Sequence, residues 1–278
     1  MSILVFRSFS LRSIGQHNEE PKEKAPGKLF KPHNPLLVGD SMSEMRIKTY
    51  IEGLDEKMQG GIPAGSVVLL VGEPGTMKSS VAYNILYNNA KENGTKGLYV
   101  TLEQGTNSLA KHMAGLGMDP GPLEDKIEIV DIGLIRKKLT QLREQSWVQV
   151  FKMYTKNLKE SSDYGILVID SLPVLEVLAR FDNPREELFH LFEWLRDLGV
   201  TTLLISEMNP DSRAYADKGE DFLADGIMYL RMQETGDVSV QRQIRVVKMR
   251  ATEHNTDYHT MLFDDGQFKA TKVLGTKV

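Results

Sequence analysis

The stretch from Ser66 to Ser80, which reads SVVLLVGEPGTMKSS, constrains the fold of this chain more than any other. An apolar run of strand length enters a turn with Gly72, Pro74 and Gly75, and a helix is predicted from Lys78 to about Ala90. A buried strand that turns through glycines into a helix gathers backbone N–H groups at the helix N-terminus. Such a turn is typical of sites that bind the phosphate groups of nucleotides.

The turn fits the phosphate-loop pattern G-x-x-x-x-G-K-S/T except at one position. Gly72, Lys78 and Ser79 have the expected spacing, whereas Met77 stands in place of the second glycine. In this pattern the backbone cradles the phosphates, the lysine reaches the β and γ oxygens, and the hydroxyl binds Mg²⁺. The pattern therefore predicts ATP and Mg²⁺ as ligands, with Ser79 on the metal; an ordinary strand–helix turn is the alternative. The predicted nucleotide-binding residues of this loop are Gly72, Glu73, Pro74, Gly75, Thr76, Met77, Lys78, Ser79 and Ser80.

The substitution at Met77 has a physical consequence that depends on its backbone. If the position must be left-handed, methionine costs ~1–2 kcal/mol there. If it lies in right-handed helical space, the cost is small and the side chain points away. We expect ATP binding to survive and to be weaker or slower than with glycine.

Composition excludes several classes of protein. The 278 residues fit one large α/β domain or two small ones, and a content of 41% hydrophobic and 26% charged residues is ordinary for a globular chain. The absence of cysteine excludes disulfides, thiolate nucleophiles and cysteine-ligated metals. A net charge of -4 leaves no overall electrostatic footprint for nucleic acid. No apolar run has the length of a membrane span, so we expect a cytoplasmic protein without a membrane partner.

Residues 1–45 are predicted to form a flexible N-terminal arm, because the segment Glu19–Lys28 is polar, contains prolines and lacks a hydrophobic period. The beginning of the arm contains Arg7 and Arg12 and no acidic residue, which resembles a transit peptide. We favour a disordered arm, or an upstream start codon with Met42 or Met45 as the true beginning. The arm is also a candidate contact for a partner protein.

After the phosphate loop, apolar strands alternate with helices. The predicted strands are 66–72, 97–103, 127–131, 164–170 and 201–207. The predicted helices are 54–59, 78–90, 107–116, 134–158 and 183–199. This alternation predicts an α/β fold with a mainly parallel sheet covered by helices on both faces. The segments 227–232, 238–248 and 258–263 are predicted as antiparallel strands at the C-terminal end, with a hairpin turn at 235–237.

The predicted strand ends suggest one shared site, because ligands of such sheets bind outside the carboxyl ends of the strands. Asp170 is the predicted Mg²⁺ ligand, and capping the following helix is its alternative role. Glu103 is the predicted general base or water-positioning residue, with a lysine salt bridge as the alternative. Glu207 is predicted either to orient water or to pair with Arg250.

Five motifs in succession resemble the RecA-superfamily ATPases of the KaiC type, a group with the circadian-clock ATPase and the archaeal RadA paralogues. They cover the chain from about Arg46 to Phe268. The motifs are IPAG at 62–65, GEPGTMKS at 72–79, YVTLEQ at 99–104, LVIDS at 167–171 and KMRATEH at 248–254. The resemblance implies a RecA-like ATPase domain over 46–270, followed by a tail over 271–278.

The resemblance also implies roles for individual residues. Glu103 matches the water-activating glutamate, while Gln104 stands where many relatives have a second acid. Lys248 and Arg250 match a lysine-x-arginine finger that reaches the γ-phosphate held by a neighbouring subunit, so we predict Lys78, Glu103, Lys248 and Arg250 as catalytic. His254 matches a further nucleotide-binding residue of that shared site, and Thr252 is a weaker match. Without the resemblance, Lys248 and Arg250 would be a solvated basic strand edge.

These matches imply a Mg²⁺-dependent, slow ATPase that forms a hexameric ring or filament and acts as a regulatory or signalling switch. A recombinase paralogue that binds DNA in repair is the second hypothesis. It is not favoured, because the predicted pore loop Pro210–Asp221 is net acidic and has Tyr215 as its single aromatic residue. A nucleotide-binding scaffold without turnover is the third, given Met77 and Gln104. His112 and His190 are interpreted as surface or core residues.

Overall fold

The computed structural model describes residues 45–132, 147–208, 215 and 219–273. The strands are β1 (Arg46–Ile47), β2 (Ile51–Glu52), β3 (Ile62–Pro63), β4 (Val67–Gly72), β5 (Gly97–Thr101), β6 (Ile127–Asp131), β7 (Ile166–Asp170), β8 (Thr201–Glu207), β9 (Gly226–Thr235), β10 (Ser239–Met249), β11 (His259–Asp264) and β12 (Gln267–Lys272). The helices are α1 (Lys78–Asn93), α2 (Thr106–Gly115), α3 (Trp147–Ser162), α4 (Leu172–Ala179), α5 (Pro184–Asp197) and α6 (Glu220–Leu223).

One ten-stranded sheet organises the described residues, in the order β2-β12-β11-β10-β9-β4-β8-β7-β5-β6. The strands from β9 to β6 are parallel to one another, whereas β9, β10, β11 and β12 form an antiparallel series. The predicted fold class is therefore confirmed. The antiparallel C-terminal strands also lie close to their predicted positions.

The strand that precedes the phosphate loop lies in the middle of this sheet. β4 pairs with β8 on one side and β9 on the other, and each of its residues is buried. Side chains alternate between the faces, so Val68 and Leu70 join the core on one side of the sheet, and Val67, Leu69 and Val71 join the core on the other. Burial on both faces explains why the strand is a continuous apolar run.

Some elements differ from their predicted form. β5 ends at Thr101, two residues before Glu103, and the predicted helix at 54–59 is a 3-10 turn over Asp55–Met58. Helix α4 begins at Leu172, the helix start that the alternative role of Asp170 implied, and Pro173 stands in its first turn, where proline is tolerated. The predicted arm up to residue 44, the first part of the predicted helix at 134–158, most of the predicted pore loop and residues 274–278 lie outside the described residues. Among the described helices, none has the length and apolar character needed to cross a membrane.

Candidate functional site

The carboxyl ends of the central strands meet at one cleft of about 320 Å³. Backbone contacts bring the ends together: the amide of Leu102 donates to the carbonyl of Asp170 at 2.7 Å, and the amide of Met208 donates to the carbonyl of Gly72 at 3.3 Å. The cleft is lined by Pro74, Gly75, Met77, Lys78, Ser79, Ser80, Glu103, His112, Asp170, Ser171, Ile205 and Glu207. Most of the predicted phosphate-loop residues and the three strand-end acids thus lie around one cavity.

Close packing explains the first glycine of the loop. A Cβ atom at Gly72 would lie 2.2 Å from the carbonyl oxygen of Leu230 in β9, so no larger residue fits without moving this strand. Within the turn, the hydroxyl of the buried Thr76 donates to the carbonyl of Glu73 at 2.8 Å. The close approach of β9 at Gly72 and the hydrogen bond from Thr76 to Glu73 together constrain the backbone of the loop beside the cleft.

Met77 adopts the left-handed conformation, with φ 70° and ψ 28°. Of the two backbone conformations considered above, the left-handed one therefore applies, and methionine costs ~1–2 kcal/mol at this position. Its side chain is half-buried and packs against the core that lies under α1. Its carbonyl accepts a hydrogen bond from the amide of Val81 at 2.9 Å, so Met77 is also the N-cap of the helix. Packing and helix initiation hold a non-glycine residue in a conformation that glycine adopts freely.

Lys78 points back into its own loop. Its ammonium group donates to the carbonyl oxygens of Gly72 at 2.8 Å and Glu73 at 2.9 Å, and the residue is only 8% exposed. Burial lowers the pKa of Lys78, while the carboxylates of Glu207, Asp170, Glu103 and Glu73 act in the opposite direction. The cleft therefore combines one cation with the carboxylates of Glu103, Asp170 and Glu207, at the position where the phosphate groups of a nucleotide are expected.

Asp170 is 5% exposed and lies between two hydroxyl groups. Tyr99 donates to its Oδ2 atom at 2.6 Å, and Ser79 also hydrogen-bonds to the carboxylate. Burial raises the pKa of Asp170 in spite of these hydrogen bonds. The alternative role of Asp170 as a helix cap is not seen: Ser171 is the N-cap residue of α4, and no side chain forms a capping hydrogen bond at this end of the helix. A carboxylate beside a hydroxyl is a suitable ligand pair for Mg²⁺.

Glu103 and Glu207 are exposed at the mouth of the cleft. The Oε1 atom of Glu103 accepts a hydrogen bond from the hydroxyl of Ser171, which directs the carboxylate toward the cavity. Within the described ranges Glu103 forms no ion pair with a lysine, the alternative considered above. The predicted pairing of Glu207 with Arg250 is also wrong for a single chain, since Arg250 pairs with Asp225 at 2.8 Å.

His112 is exposed, as its interpretation as a surface or core residue allows, and it also lines the cleft. It lies on α2, which begins three residues after Glu103 and therefore starts at the same edge of the sheet. This short connection between Glu103 and α2 is the feature of the sequence that could have indicated a position of His112 near the cleft. A histidine without partner acids along its own helix can still face acids that other elements supply.

Lys248 and Arg250 lie at the opposite edge of the sheet from the cleft. β10 runs antiparallel to β9, so Met249 stands opposite Gly226, which itself pairs with Val68 near the beginning of β4. The Lys248 ammonium group donates to the carbonyl of Asp221 at 3.0 Å. Burial lowers the pKa of Lys248, and the charge of Arg250 adds to this effect. Neither cation lines the cleft of its own chain.

His254 follows the same strand and is likewise absent from the lining of the cleft. Its Nδ1 atom lies 3.1 Å from the carbonyl of Thr252, and its Nε2 atom is buried without a hydrogen-bond partner. The hydroxyl of Thr252 accepts from Arg46 at 2.9 Å. The structure thus separates the predicted residues into two groups, one around the phosphate loop and one at the far edge.

A phosphate loop at the carboxyl edge of a mainly parallel sheet, with a buried lysine and a buried aspartate facing each other, defines an α/β nucleotide-binding protein of the RecA type. The family model described as "ATPase: KaiC" matches residues 47–271. The chain therefore belongs to the KaiC family of ATPases and carries an ATP-binding domain with the RecA fold.

Similar proteins come from archaea and bacteria. A UPF0273 protein of Pyrococcus horikoshii is 30% identical over 82% of this chain and 98% of its own length. The circadian clock protein KaiC2 of Synechocystis is 28% identical over 81% of this chain, which corresponds to 40% of that protein. The crystal structure of a KaiC-like protein of Pyrococcus horikoshii matches with a TM-score of 0.70 and 31% identity, over 82% of this chain and 99% of that one.

Proposed function

We propose that this protein is a Mg²⁺-dependent ATPase that hydrolyses ATP slowly and only as an assembly of several copies, and that it acts as a regulatory switch. The observation that carries the proposal is the separation of the predicted residues. The loop, Glu103 and Asp170 share one cleft, while Lys248 and Arg250 lie at the other edge of the sheet. One copy therefore contains both halves of the site but cannot bring them together.

The cleft has groups suited to Mg·ATP. The ammonium group of Lys78 needs only to exchange its two loop carbonyls for phosphate oxygens. The Ser79 hydroxyl and the Asp170 carboxylate would hold Mg²⁺, directly or through water, and the cation would offset the burial that raises the pKa of Asp170. No group of three or more His, Asp or Glu side chains among the described residues is arranged to hold a metal. Mg²⁺ binding would therefore depend on the nucleotide, whose phosphates supply further oxygens when bound.

Glu103 is placed to activate or orient water. It is exposed at the cleft mouth, and its Oε1 atom is fixed by Ser171, which leaves the second carboxylate oxygen available to accept a proton. We expect Glu103→Gln to lower phosphate release by about 100-fold or more while ATP still binds. Equal rates for wild type and Glu103→Gln would show that Glu103 is not the base.

Phosphoryl transfer also needs cations near the γ-phosphate, and Lys78 is the single cation lining the described cleft. We assign Lys248 and Arg250 of a second copy to this task, with His254 beside them. A contact that joins one edge of the sheet to the other edge of the next copy is head-to-tail, and repetition of such a contact produces a ring or a filament. ATP hydrolysis would then depend on assembly, which is the property that a regulatory switch requires.

A complementation experiment tests the shared site. Lys78→Ala inactivates the cleft and keeps the finger, whereas Arg250→Ala does the reverse. We expect each variant alone to be nearly inactive and a mixture to recover activity, because roughly a quarter of the sites in randomly mixed rings would pair an intact cleft with an intact finger. A mixture that stays inactive, although native mass shows mixed assemblies, would contradict a finger acting between copies.

Two measurements separate this proposal from its alternatives. A binding scaffold would bind ATP and release no phosphate above the level of Glu103→Gln. The hypothesis of a DNA-binding protein requires free aromatic surface in the pore loop. The hydroxyl of Tyr215 accepts from Arg245 at 3.0 Å, and its ring packs edge-on against Tyr229 at 5.4 Å. A salt-dependent mobility shift on single-stranded DNA would nevertheless favour the second hypothesis.

A further inference from the structure

A groove with both apolar and polar lining residues lies beside the predicted finger. It occupies about 380 Å³ between α5 and α6. Phe222 of α6 is 75% exposed and Phe189 of α5 is 46% exposed, so two aromatic rings face solvent at one place. The full lining is Asn183, Arg185, Glu186, Phe189, Gly219, Phe222 and Leu223. Aromatic side chains in such grooves are frequent anchors of protein contacts.

The finger is fastened to the backbone of this groove. The Arg250 guanidinium donates to the carbonyl of Phe222 at 3.3 Å, and the Lys248 ammonium lies 3.4 Å from the same oxygen. Asp225, which follows α6 closely, accepts from Arg250 and from Arg196 of α5. Because both cations lie at the backbone carbonyl of the residue that carries the exposed ring, a surface that covers Phe222 also meets Lys248 and Arg250.

The charge of the cleft indicates which surface that is. The cleft lining combines Lys78 with the carboxylates of Glu103, Asp170 and Glu207, and the phosphates of ATP would add further negative charge. Such a cleft favours a cationic surface, and beside the groove Lys248, Arg250 and Arg196 outnumber the carboxylates of Asp221 and Asp225. Since finger and cleft lie at opposite edges of one chain, a second copy can present its cleft to this finger in a head-to-tail contact.

We propose that the groove around Phe222 binds the cleft-side surface of a second copy of this chain, and that Phe222 is the apolar anchor that places Lys248 and Arg250 at the neighbour's nucleotide. The inference rests on the proposed finger between copies and adds the surface that holds it there. Lys248 and Arg250 are partly engaged by α6 and Asp225, so they are poor anchors by themselves. The aromatic ring supplies the apolar area that a protein contact needs.

The first test compares two charge substitutions on exposed apolar side chains. Phe222→Glu removes the anchor, and Met153→Glu is the matched control on α3, where Met153 is 55% exposed. We expect Phe222→Glu to raise the protein concentration needed for assembly and for ATP turnover by at least about tenfold. Met153→Glu should behave as wild type. ATP affinity measured on dilute protein should stay within about twofold in both variants, because the loop lies at the other edge of the sheet.

The outcomes separate this inference from the proposed function. If wild type assembles and hydrolyses ATP and Phe222→Glu does so at the same concentrations, the anchor is overturned and the ATPase assembly stands. If Met153→Glu weakens assembly as much as Phe222→Glu, the groove is not specific and the inference is also overturned. A wild type that binds ATP but stays monomeric at every concentration would overturn both.

A second test measures orientation and uses the absence of native cysteine. Arg185→Cys and His112→Cys each carry one thiol, the first in the groove with Phe222 left intact and the second at the cleft. With a bifunctional maleimide and Mg·ATP, we expect crosslinks between the two variants when they are mixed and few within either variant alone. Efficient self-crosslinking of Arg185→Cys would show a symmetric contact and overturn the head-to-tail arrangement.

Discussion

The left-handed backbone of Met77 leads to a quantitative prediction about stability. Truncation to alanine keeps the strained conformation and removes the packing of a half-buried side chain, which we expect to cost about 1 kcal/mol. Further truncation to glycine relieves ~1–2 kcal/mol of strain. It also adds roughly 0.5–1 kcal/mol of chain entropy to the unfolded state. Met77→Gly should therefore be more stable than Met77→Ala by about 0.5–1 kcal/mol and close to wild type.

Urea unfolding of the three proteins measures these differences. Ala110→Gly on α2 is the control, because the same loss of a methyl group in a right-handed helix should destabilise by about 1 kcal/mol. The sign of the alanine-to-glycine step should thus reverse between the two positions. A Met77→Gly variant less stable than Met77→Ala would refute the assignment of left-handed strain.

The same series predicts the effect on nucleotide binding. Met77 is already left-handed in the nucleotide-free protein, so the strain is a cost of folding and need not be added when ATP binds. We expect the Kd for ATP of Met77→Gly to lie within about threefold of wild type, a difference of ~0.6 kcal/mol. A tenfold or larger gain in affinity would show that methionine obstructs the phosphates.

Three further predictions concern stability. Gly72→Ala should destabilise the protein by about 3 kcal/mol, because the added Cβ would lie 2.2 Å from a β9 carbonyl oxygen. Gly115→Ala is the control and should not destabilise, since no neighbouring atom lies within 4 Å of the added Cβ. Urea unfolding measures both variants. Burial raises the pKa of Asp170, so wild-type stability falls as the pH rises from the pKa of Asp170 in the unfolded chain to its higher pKa in the folded protein. Nucleotide-free Asp170→Asn should therefore be more stable than wild type above this pH range and equally stable below it, as measured by thermal unfolding at a series of pH values. Burial opposes ionisation of Asp225, yet hydrogen bonds from Val67, Arg196 and Arg250 lower its pKa. Asp225→Asn should therefore reduce the free energy of unfolding by about 2 kcal/mol at pH 7. This difference from wild type should vanish as the pH falls through the pKa of Asp225 in the folded protein.

Much of the candidate site was predictable because its chemistry lies at strand ends. Gly72, Asp170 and Glu207 each end an apolar run, and parallel strands bring their carboxyl ends to one edge of a sheet. Local patterns alone therefore predicted the cleft. The position of His112 at the cleft was missed, since it depends on how α2 crosses that edge.

Local sequence patterns were enough to predict the phosphate loop, the acids that surround it and most of the strand–helix order, because burial and turn chemistry act over a few neighbouring residues. The backbone of Met77 could not be predicted in this way, since packing under α1 holds it left-handed against its local preference. The tertiary structure also decided where Lys248 and Arg250 lie. Their distance from the cleft follows from the antiparallel return of β10, a pairing over long range that no local pattern determines.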